Sequence, residues 1–280
     1  MDELRWYGKI LDTEFTSIEE VVISDVHYGN PFFSMPHLKH TLDWIMKKPN
    51  RFFSTNGDLL EAIIKSSKGD IHHQVLSPKQ QRDDMVDLLK PYKERLLCMT
   101  GGNHEARIFN ETSIDLTEDM ANALGVPYRA EGMLFKISFG RGNRSNLNKP
   151  FVFWGYMTHG YGGARTKSAK AVKVERTRTF IHADWFAMSH DHVVNVAPDI
   201  YLMPDNRGKE EDNDFISGRV TAKREILIKT NAYLKWGGYA EAGGFPPSDL
   251  STPVIKMLTP QSPEWEDLPE KAKQAVKVIV

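Results

Sequence analysis

Histidine, aspartate and asparagine side chains that can bind metal ions recur in short clusters of the sequence. Asp25 and His27 alternate along the chain, so in an extended segment both side chains lie on one face. Asp58 follows a glycine, and the two oxygens of its carboxylate could bridge cations about 3.5–4 Å apart. Imidazole and carboxylate ligands without thiolate favour Mn, Fe, Zn or Ni over a soft-metal site or an all-oxygen calcium site. The remaining candidates are Asn103, His104, His159, His190 and His192.

The first three clusters follow segments that are predicted to be β-strands. Short apolar or β-branched runs occupy residues 21–24, 51–55 and 95–99, and each ends at a polar cluster. Helices are predicted over residues 35–47 and 78–89, between these strands. Because α/β proteins carry functional groups in the loops at the carboxyl ends of strands, the clusters are expected at one edge of a sheet.

The second half of the sequence is predicted to be richer in strands. A helix is expected at residues 116–124, followed by a hairpin with strands 133–139 and 151–157 and a Gly/Asn-rich turn. The last three histidine candidates follow the hairpin or lie between later strands. These later strands are predicted at residues 185–189, 193–196 and 224–229.

Size and composition are those of an ordinary globular protein. Of the 280 residues, 40% are hydrophobic and 26% charged, and one domain is expected over residues 1–280, with the motifs in 25–192 and further strands and a tail in 193–280. The formal net charge of -1 gives no global field for nucleic acid or anionic membranes, so any affinity for polyanions must be local.

The single cysteine, Cys98, excludes an intrachain disulfide. No signal-peptide pattern and no stretch of about 20 apolar residues is present, which predicts a cytoplasmic protein without a membrane partner.

Five motifs in a fixed order resemble the signature of calcineurin-like metallophosphoesterases. Each motif alone is weak, but five in the family's order, each after a predicted strand, form a strong signal. Ser189 stands where the family's last motif usually begins with glycine, which is a mild departure. Gly69-Asp70, Ala106-Arg107 and the tail 239–253 are similar to phage and prophage members. The five motifs are Asp25-x-His27, Gly57-Asp58, Gly102-Asn103-His104-Glu105, His159 and His190-x-His192.

The resemblance implies an α/β fold of the metallophosphoesterase type, a four-layer α/β/β/α sandwich with two central mixed β-sheets. It also implies two divalent metal ions, with Mn expected and Fe, Zn or Ni as alternatives. A metal-activated hydroxide would attack the phosphorus, and His104 would protonate the leaving oxygen as the general acid. One ion would be held by Asp25, His27, Asp58 and His192, and the other by Asp58, Asn103, His159 and His190.

The substrate implied by the resemblance is a phosphoester. Six basic residues between positions 165 and 178 could form a mobile flap that grips a phosphodiester of DNA, RNA or a nucleotide derivative, or they could form a solvated helix face. Arg107 could bind a phosphate oxygen, or it could pair with Glu105 or Glu111. The candidate substrate contacts are Arg107, Arg165 and Lys167.

Two acidic residues near the last motif are assigned lesser roles. Asp191 is interpreted as a spacer between two ligands. Asp184 could orient a liganding histidine, or it could form a simple salt bridge.

Two alternative functions remain open at this point. A small-molecule phosphomonoesterase would require a closed pocket of neutral or acidic character. A non-catalytic binding protein would keep the fold without activity, but such proteins usually lose ligands, and every ligand position is kept here. Ser/Thr protein phosphatases are disfavoured because the Asp-Arg-Gly that follows their Gly-Asp motif is absent after Gly57-Asp58.

Overall fold

The computed structural model describes residues 5–67, 72, 74–142, 148–210, 216–242, 244, 247, 249–267 and 276–280. The elements of the first half are β1 (Tyr7–Ile10), β2 (Ser17–Ile23), α1 (Met35–Met46), β3 (Arg51–Asn56), α2 (Pro78–Leu89), β4 (Leu96–Thr100), α3 (Asn103–Thr112), α4 (Leu116–Leu124) and β5 (Tyr128–Arg129). The chain continues with β6 (Met133–Phe139), β7 (Phe151–Thr158), α5 (Lys167–Thr177), β8 (Trp185–Met188), β9 (Asn195–Glu210), β10 (Ile216–Lys229), α6 (Tyr239–Ala242), β11 (Val254–Leu258) and β12 (Val276–Ile279).

The strands form two mixed sheets. The first sheet has the order β12-β11-β2-β3-β4-β5, in which β2 to β5 run parallel and β11 pairs antiparallel with both of its neighbours. The second sheet has the order β1-β6-β7-β8-β10-β9, in which β7, β8 and β10 are parallel. Its β6–β7 and β9–β10 pairs are antiparallel. Parallel neighbours need crossover connections, which α1 to α4 supply in the first sheet and α5 supplies between β7 and β8.

The two sheets pack face to face, and helices cover their outer faces. Alternate residues of β2 show this arrangement, because Val22 belongs to the core between the sheets and Val21 to the core under α1–α4. On the far side, Val174 of α5 packs against Phe186 of the second sheet. The predicted four-layer α/β/β/α sandwich with two central mixed sheets is therefore confirmed.

A close approach between β7 and β8 fixes the strand that leads to the last motif. The ring of Trp185, which is fully buried, lies against Gly155 on the neighbouring strand. A Cβ atom at position 155 would lie 2.0 Å from Cζ2 of this ring, so only glycine fits without displacement of Trp185. β8 is thereby held tightly in the sheet just before the loop that carries His190.

The hairpin of β9 and β10 is longer than the sequence predicts. The predicted strands 193–196 and 224–229 cover only its sheet-proximal end, because residues 216–223 are exposed on both faces and show no alternation of burial. The helices 78–89 and 116–124 and the strand 133–139 are as predicted. Gly69-Asp70 and positions 243, 245–246 and 248 of the predicted tail lie outside the described residues. No helix in the described ranges is long and apolar enough to cross a membrane.

Candidate metal centre

The candidate ligands lie in loops at the carboxyl ends of parallel strands from both sheets. In the first sheet, β2 leads to Asp25, β3 leads to Asp58, and β4 leads to Asn103 at the start of α3. In the second sheet, β7 leads to His159 and β8 leads to the loop 189–192. Side chains from the two sheets meet there, since Asn103 and His159 are in direct contact.

Several candidate ligands have a left-handed backbone conformation, which residues other than glycine rarely adopt. Each such conformation costs of order 1–3 kcal/mol, and strain of this kind concentrates at functional sites. The amides of Val26 and His27 donate to the carbonyl of Asp58 at 2.9 and 3.0 Å, which holds two of the strained loops together. The ligands concerned are Asp25, His27, Asp58, His190 and His192, with φ values of 50°, 52°, 50°, 70° and 51°.

The first ligand group consists of Asp25, His27 and His192, whose candidate ligand atoms all lie within 4.8 Å of one another. His192 Nε2 is 3.2 Å from Asp25 Oδ1 and 3.3 Å from His27 Nε2. His27 Nδ1 lies 3.1 Å from Glu61 Oε2 and must donate to this carboxylate, so its Nε2 presents a lone pair to the group. Asp25 Oδ1 is buried and has no hydrogen-bond partner among the described residues.

The second ligand group consists of Asp58, His159 and His190. His159 Nε2 lies 3.0 Å from Asp58 Oδ2 and 3.1 Å from Asn103 Oδ1, and its Nδ1 donates to the carbonyl of Asn56 at 2.8 Å. His190 Nε2 donates to the carbonyl of Gly162 at 2.7 Å, which leaves Nδ1 for a cation. Both histidines thus have one ring nitrogen fixed by a hydrogen bond, as is usual for metal ligands.

The charges of these groups fit divalent cations. Converging carboxylate oxygens and imidazole lone pairs repel one another unless positive charge lies between them. Burial lowers the pKa of His159, but the adjacent Asp58 carboxylate outweighs it and raises this pKa to about 10. Burial likewise raises the pKa of Asp25, but His192 holds it below its ordinary value. The residues therefore suit two cations, divided between the two groups as the motif resemblance implies, and the role of each residue as a ligand stays a prediction.

His104 lies beside both groups and faces them with one ring nitrogen. Its backbone amide donates to Asp58 Oδ1 at 2.8 Å, and its Nδ1 donates to the carbonyl of Glu61 at 2.7 Å. Nε2 lies 3.8 Å from Asp58 Oδ2 and belongs to a third group of possible ligands with His27 and Asp58. Burial lowers the pKa of His104 to about 4, although Asp58 opposes this shift.

Two glutamates support the ligands, and the sequence predicts this role for neither of them. Glu61 accepts from His27, as described above. Glu105 accepts from the backbone amides of Asp58 at 3.1 Å and Leu60 at 2.9 Å, and burial together with the Asp58 charge raises its pKa to about 7. Glu105 stands inside the third motif, but a glutamate in the first turn of a helix is so common that the sequence gives it no distinct signal.

The acidic residues near the last motif differ from their sequence interpretation. Asp184 accepts from the backbone amide of Trp154 at 2.8 Å, so it serves the sheet and is not shown to orient a histidine. Asp191 is buried and forms ion pairs with Lys173 and Lys229, which makes it more than a spacer.

The basic segment is a helix that uses part of its charge internally. Most of it is α5, which Thr166 caps by accepting from the amide of Ala169. Lys170 and Lys173 are buried, and Arg178 pairs with Asp199 and Glu225, so three of the six cations bind other parts of the chain. The segment is therefore neither a free flap nor a fully solvated helix face.

The three candidate substrate contacts lie in different surroundings. Arg107 of α3 is half-buried near His104, and its charge contributes to the lowered pKa of that histidine. Glu105 and Glu111 bond elsewhere, and Arg107 forms no ion pair with any residue that the structure describes. Arg165 and Lys167 are exposed at the start of α5, close in sequence to the His159 loop. Their contact with a substrate stays a prediction.

Solved metallophosphoesterases are among the structures similar to this chain. The calcineurin-like phosphoesterase YfkN from Bacillus subtilis is 11% identical, with a TM-score of 0.45 and coverage of 94% of this chain and 90% of that chain. A metallophosphoesterase from Sphaerobacter thermophilus is 13% identical, with a TM-score of 0.37 and coverage of 93% and 87%. The nuclease MPE from Pseudomonas putida is 11% identical, with a TM-score of 0.34 and coverage of 87% and 85%. No family profile and no curated protein matches the sequence.

With TM-scores below 0.5, these neighbours carry no argument about this chain. The chemistry of the chain has to be argued from its own site.

Proposed function

We propose that the chain is a metal-dependent phosphoesterase with a two-metal site. The observation that carries this proposal is the overlap of the ligand groups: His27 belongs to the first and third groups, and Asp58 belongs to the second and third. The first and second groups therefore form one continuous site, and Asp58 would contribute to holding both cations. Adjacent divalent cations of this kind are typical of enzymes that hydrolyse phosphoesters.

The residues of the chain would divide the work of hydrolysis. When bound, the two cations supply an activated water and neutralise charge on the phosphoryl group. His104 presents Nε2 to the site and would protonate the leaving oxygen. The low pKa of His104 means that this proton must be stabilised by the substrate, and a phosphoryl oxygen next to Nε2 would do so.

A phosphodiester of DNA, RNA or a nucleotide derivative is the proposed substrate. A cavity of about 610 Å³ lies beside the start of α3, and its lining includes Gly102, Phe109 and Arg129. This volume is in the range of small-molecule binding sites. The lining is net acidic, because it includes Glu105, Asp115, Glu118 and Glu131 against Arg5 and Arg129, so the support for a diester comes from the basic segment and not from this cavity. Arg165 and Lys167 could contact a neighbouring phosphate.

A phosphomonoesterase is the second candidate. It is favoured by the internal bonds of Lys170, Lys173 and Arg178, which reduce the positive charge available for a polymer.

The test is hydrolysis of p-nitrophenyl phosphate, bis-p-nitrophenyl phosphate and labelled single- and double-stranded DNA and RNA, with Mn, Ni, Zn or Mg. His104→Asn should lower kcat about 100- to 10,000-fold, as expected for loss of a general acid, with metal content unchanged. Asp58→Asn should lower both activity and metal content. His182→Asn, an exposed histidine outside the site, is the matched control and should behave like the wild type.

Each outcome assigns a function. Cleavage of diesters that requires metal and Asp58 supports the phosphodiesterase, and cleavage of monoesters alone supports the second candidate. Metal binding without hydrolysis of any ester contradicts the proposed activity and favours a binding protein. Full activity of His104→Asn would rule out the general-acid role.

A further inference from the structure

Three buried lysines surround Asp191, between the two histidines of the last motif. Lys173 Nζ lies 2.6 Å from Asp191 Oδ1, and Lys229 Nζ lies 2.7 Å from Oδ2. Lys170 Nζ donates to the carbonyl of Asp191 at 3.0 Å, and Lys229 also donates to the carbonyl of Ser189 at 2.7 Å. We call Lys170, Lys173 and Lys229 the lysine cage.

The lysine cage joins two separate elements, α5 and β10, to one short loop. Lys170 and Lys173 are three residues apart on α5 and therefore share a helix face, and Lys229 is the last residue of β10. Asp191 belongs to the loop after β8. The cage thus fixes both the backbone and the side chain of this loop from the side of α5 and β10.

Stability alone does not account for this arrangement. Lysines are rarely buried, yet Lys229, Lys170 and Lys173 are only 0%, 4% and 8% exposed. Burial lowers the pKa of Lys229 and Lys170, so their charges are costly here despite the neighbouring Asp191. Apolar residues of similar volume in place of a buried ion pair are often neutral or stabilising.

The loop held by the lysine cage has an unusual conformation. His190 and His192, on either side of Asp191, both have positive φ values. Two such residues in three positions strain the backbone, so the loop needs strong contacts to keep this shape. Ser189 adds to them, because its hydroxyl accepts from Asn56 Nδ2 at 2.6 Å and from Thr230 Oγ1 at 2.9 Å.

We propose that the lysine cage and Asp191 are positioning residues that set the affinity of the site for both cations. They act through the loop, because His190 belongs to one ligand group and His192 to the other. This inference rests on the proposed two-metal function. It requires no contact of the lysines with metal or substrate.

Positioning and simple electrostatics make opposite predictions for the lysines. Removal of a positive charge near the site would by itself strengthen cation binding, whereas loosening of the loop would weaken it. Removal of the Asp191 charge weakens binding in both cases. The lysine variants are therefore the decisive ones.

The experiment is titration of purified protein with Mn²⁺ by calorimetry, for wild type, Lys229→Met, Lys173→Met and Asp191→Asn. Lys39→Met is the matched control, since it removes one lysine charge from the exposed face of α1. We expect two bound ions in the wild type and about 10- to 100-fold weaker binding in the three variants, as is typical when residues that support metal ligands are removed. Lys39→Met should bind like the wild type.

Thermal unfolding in a chelator shows whether each variant folds. Lys173→Met is the safeguard, because Lys173 lies nearest the surface of the three lysines and its loss is the mildest change. Unchanged or stronger Mn²⁺ binding by a folded Lys229→Met or Lys173→Met protein would overturn the inference. A wild type that binds two ions but hydrolyses no ester would contradict the proposed function and leave the inference standing. A wild type that binds no cation would overturn the proposed function and the inference.

Discussion

The two sheets support their ligand loops with buried charges of opposite sign. On the side of the first sheet, Glu105 of α3 accepts hydrogen bonds from the amides of the Asp58 loop. On the side of the second sheet, lysines of α5 and β10 donate to the carbonyls and the carboxylate of the 189–192 loop. One loop is thus held through its N–H groups and the other through its C=O groups and the Asp191 carboxylate.

The difference concerns how each buried charge is compensated. Glu105 and Glu20, which lies on the inner face of β2, form no ion pair with any described residue, and burial raises the pKa of each to about 7. Asp191, by contrast, has two ammonium groups within 2.7 Å. Hydrogen bonds from neutral groups leave a buried carboxyl sensitive to pH, whereas ion pairs make the loop depend on partners from distant elements.

Glu105→Gln is expected to have the largest effect, because it changes the support of the Asp58 loop and should lower both the unfolding free energy and the Mn²⁺ affinity. Two backbone amides donate to the carboxylate, and glutamine offers only one acceptor oxygen, so its NH₂ group would face an N–H donor. The mismatch should cost about 1–3 kcal/mol of unfolding free energy. Because Asp58 is proposed to contact both cations, Mn²⁺ affinity should fall by about 10- to 100-fold.

Urea unfolding and calorimetric titration with Mn²⁺ measure the two effects of Glu105→Gln. Glu175→Gln, at an exposed position of α5, is the matched control. If Glu105→Gln binds Mn²⁺ as tightly as the wild type, the first sheet does not position Asp58 through this carboxylate.

The supports of the site were harder to predict from the sequence than its candidate ligands. Asp25, Asp58 and His159 stand directly after apolar strands, so their position follows from local pattern and from the stacking of strand ends. The lysine cage has no such signal, because Lys170 and Lys229 are separated by almost 60 residues and meet only through the packing of α5 on β10. A buried lysine and an exposed one look alike in a sequence, so the sequence predicts a surface feature for the basic segment.

Sequence pattern also fails to predict the full length of the β9–β10 hairpin, of which the predicted strands 193–196 and 224–229 cover only one end. Its proximal residues, such as Ile226 and Ile228, belong to the core between the sheets and gave a clear strand signal. Its distal part is held by cross-strand backbone hydrogen bonds, which every residue type except proline can donate. Burial periodicity therefore predicts where a strand enters the core and not where it ends.

Glu20→Gln is expected to have an effect of intermediate size, which is a change in how the free energy of unfolding depends on pH. Glu20 accepts from Ser54 at 2.7 Å, and its Oε2 has no hydrogen-bond partner within the described ranges. Its folded-state pKa of about 7 lies above the unfolded value of 4.5, so unfolding releases a proton between these values and the free energy of unfolding falls as pH rises through them. The loss should reach roughly 3 kcal/mol at most, and the glutamine variant should lack it.

Urea unfolding at about pH 5 and about pH 8 measures this loss in the wild type and in Glu20→Gln. A chelator keeps metal binding, which is itself pH-dependent, out of the comparison. Glu94→Gln is an exposed control. An equal change between the two pH values in Glu20→Gln and the wild type would mean that Glu20 is not the buried carboxyl responsible.

Substitutions of the candidate substrate contacts should have the smallest effects, and they extend the comparison to the two sides of the site. Arg107 is half-buried on the first-sheet side, so Arg107→Ala should raise KM by about tenfold, equivalent to one charge-assisted hydrogen bond of roughly 1.5 kcal/mol. Lys167 is exposed on the second-sheet side, where salt screens its charge, so Lys167→Ala should raise KM less than about twofold. Steady-state kinetics with a diester substrate at low and high salt measures both, with Arg176→Ala as the control on α5. A larger effect of Lys167→Ala than of Arg107→Ala would indicate that the substrate enters along α5, beside the lysine cage, and not along α3.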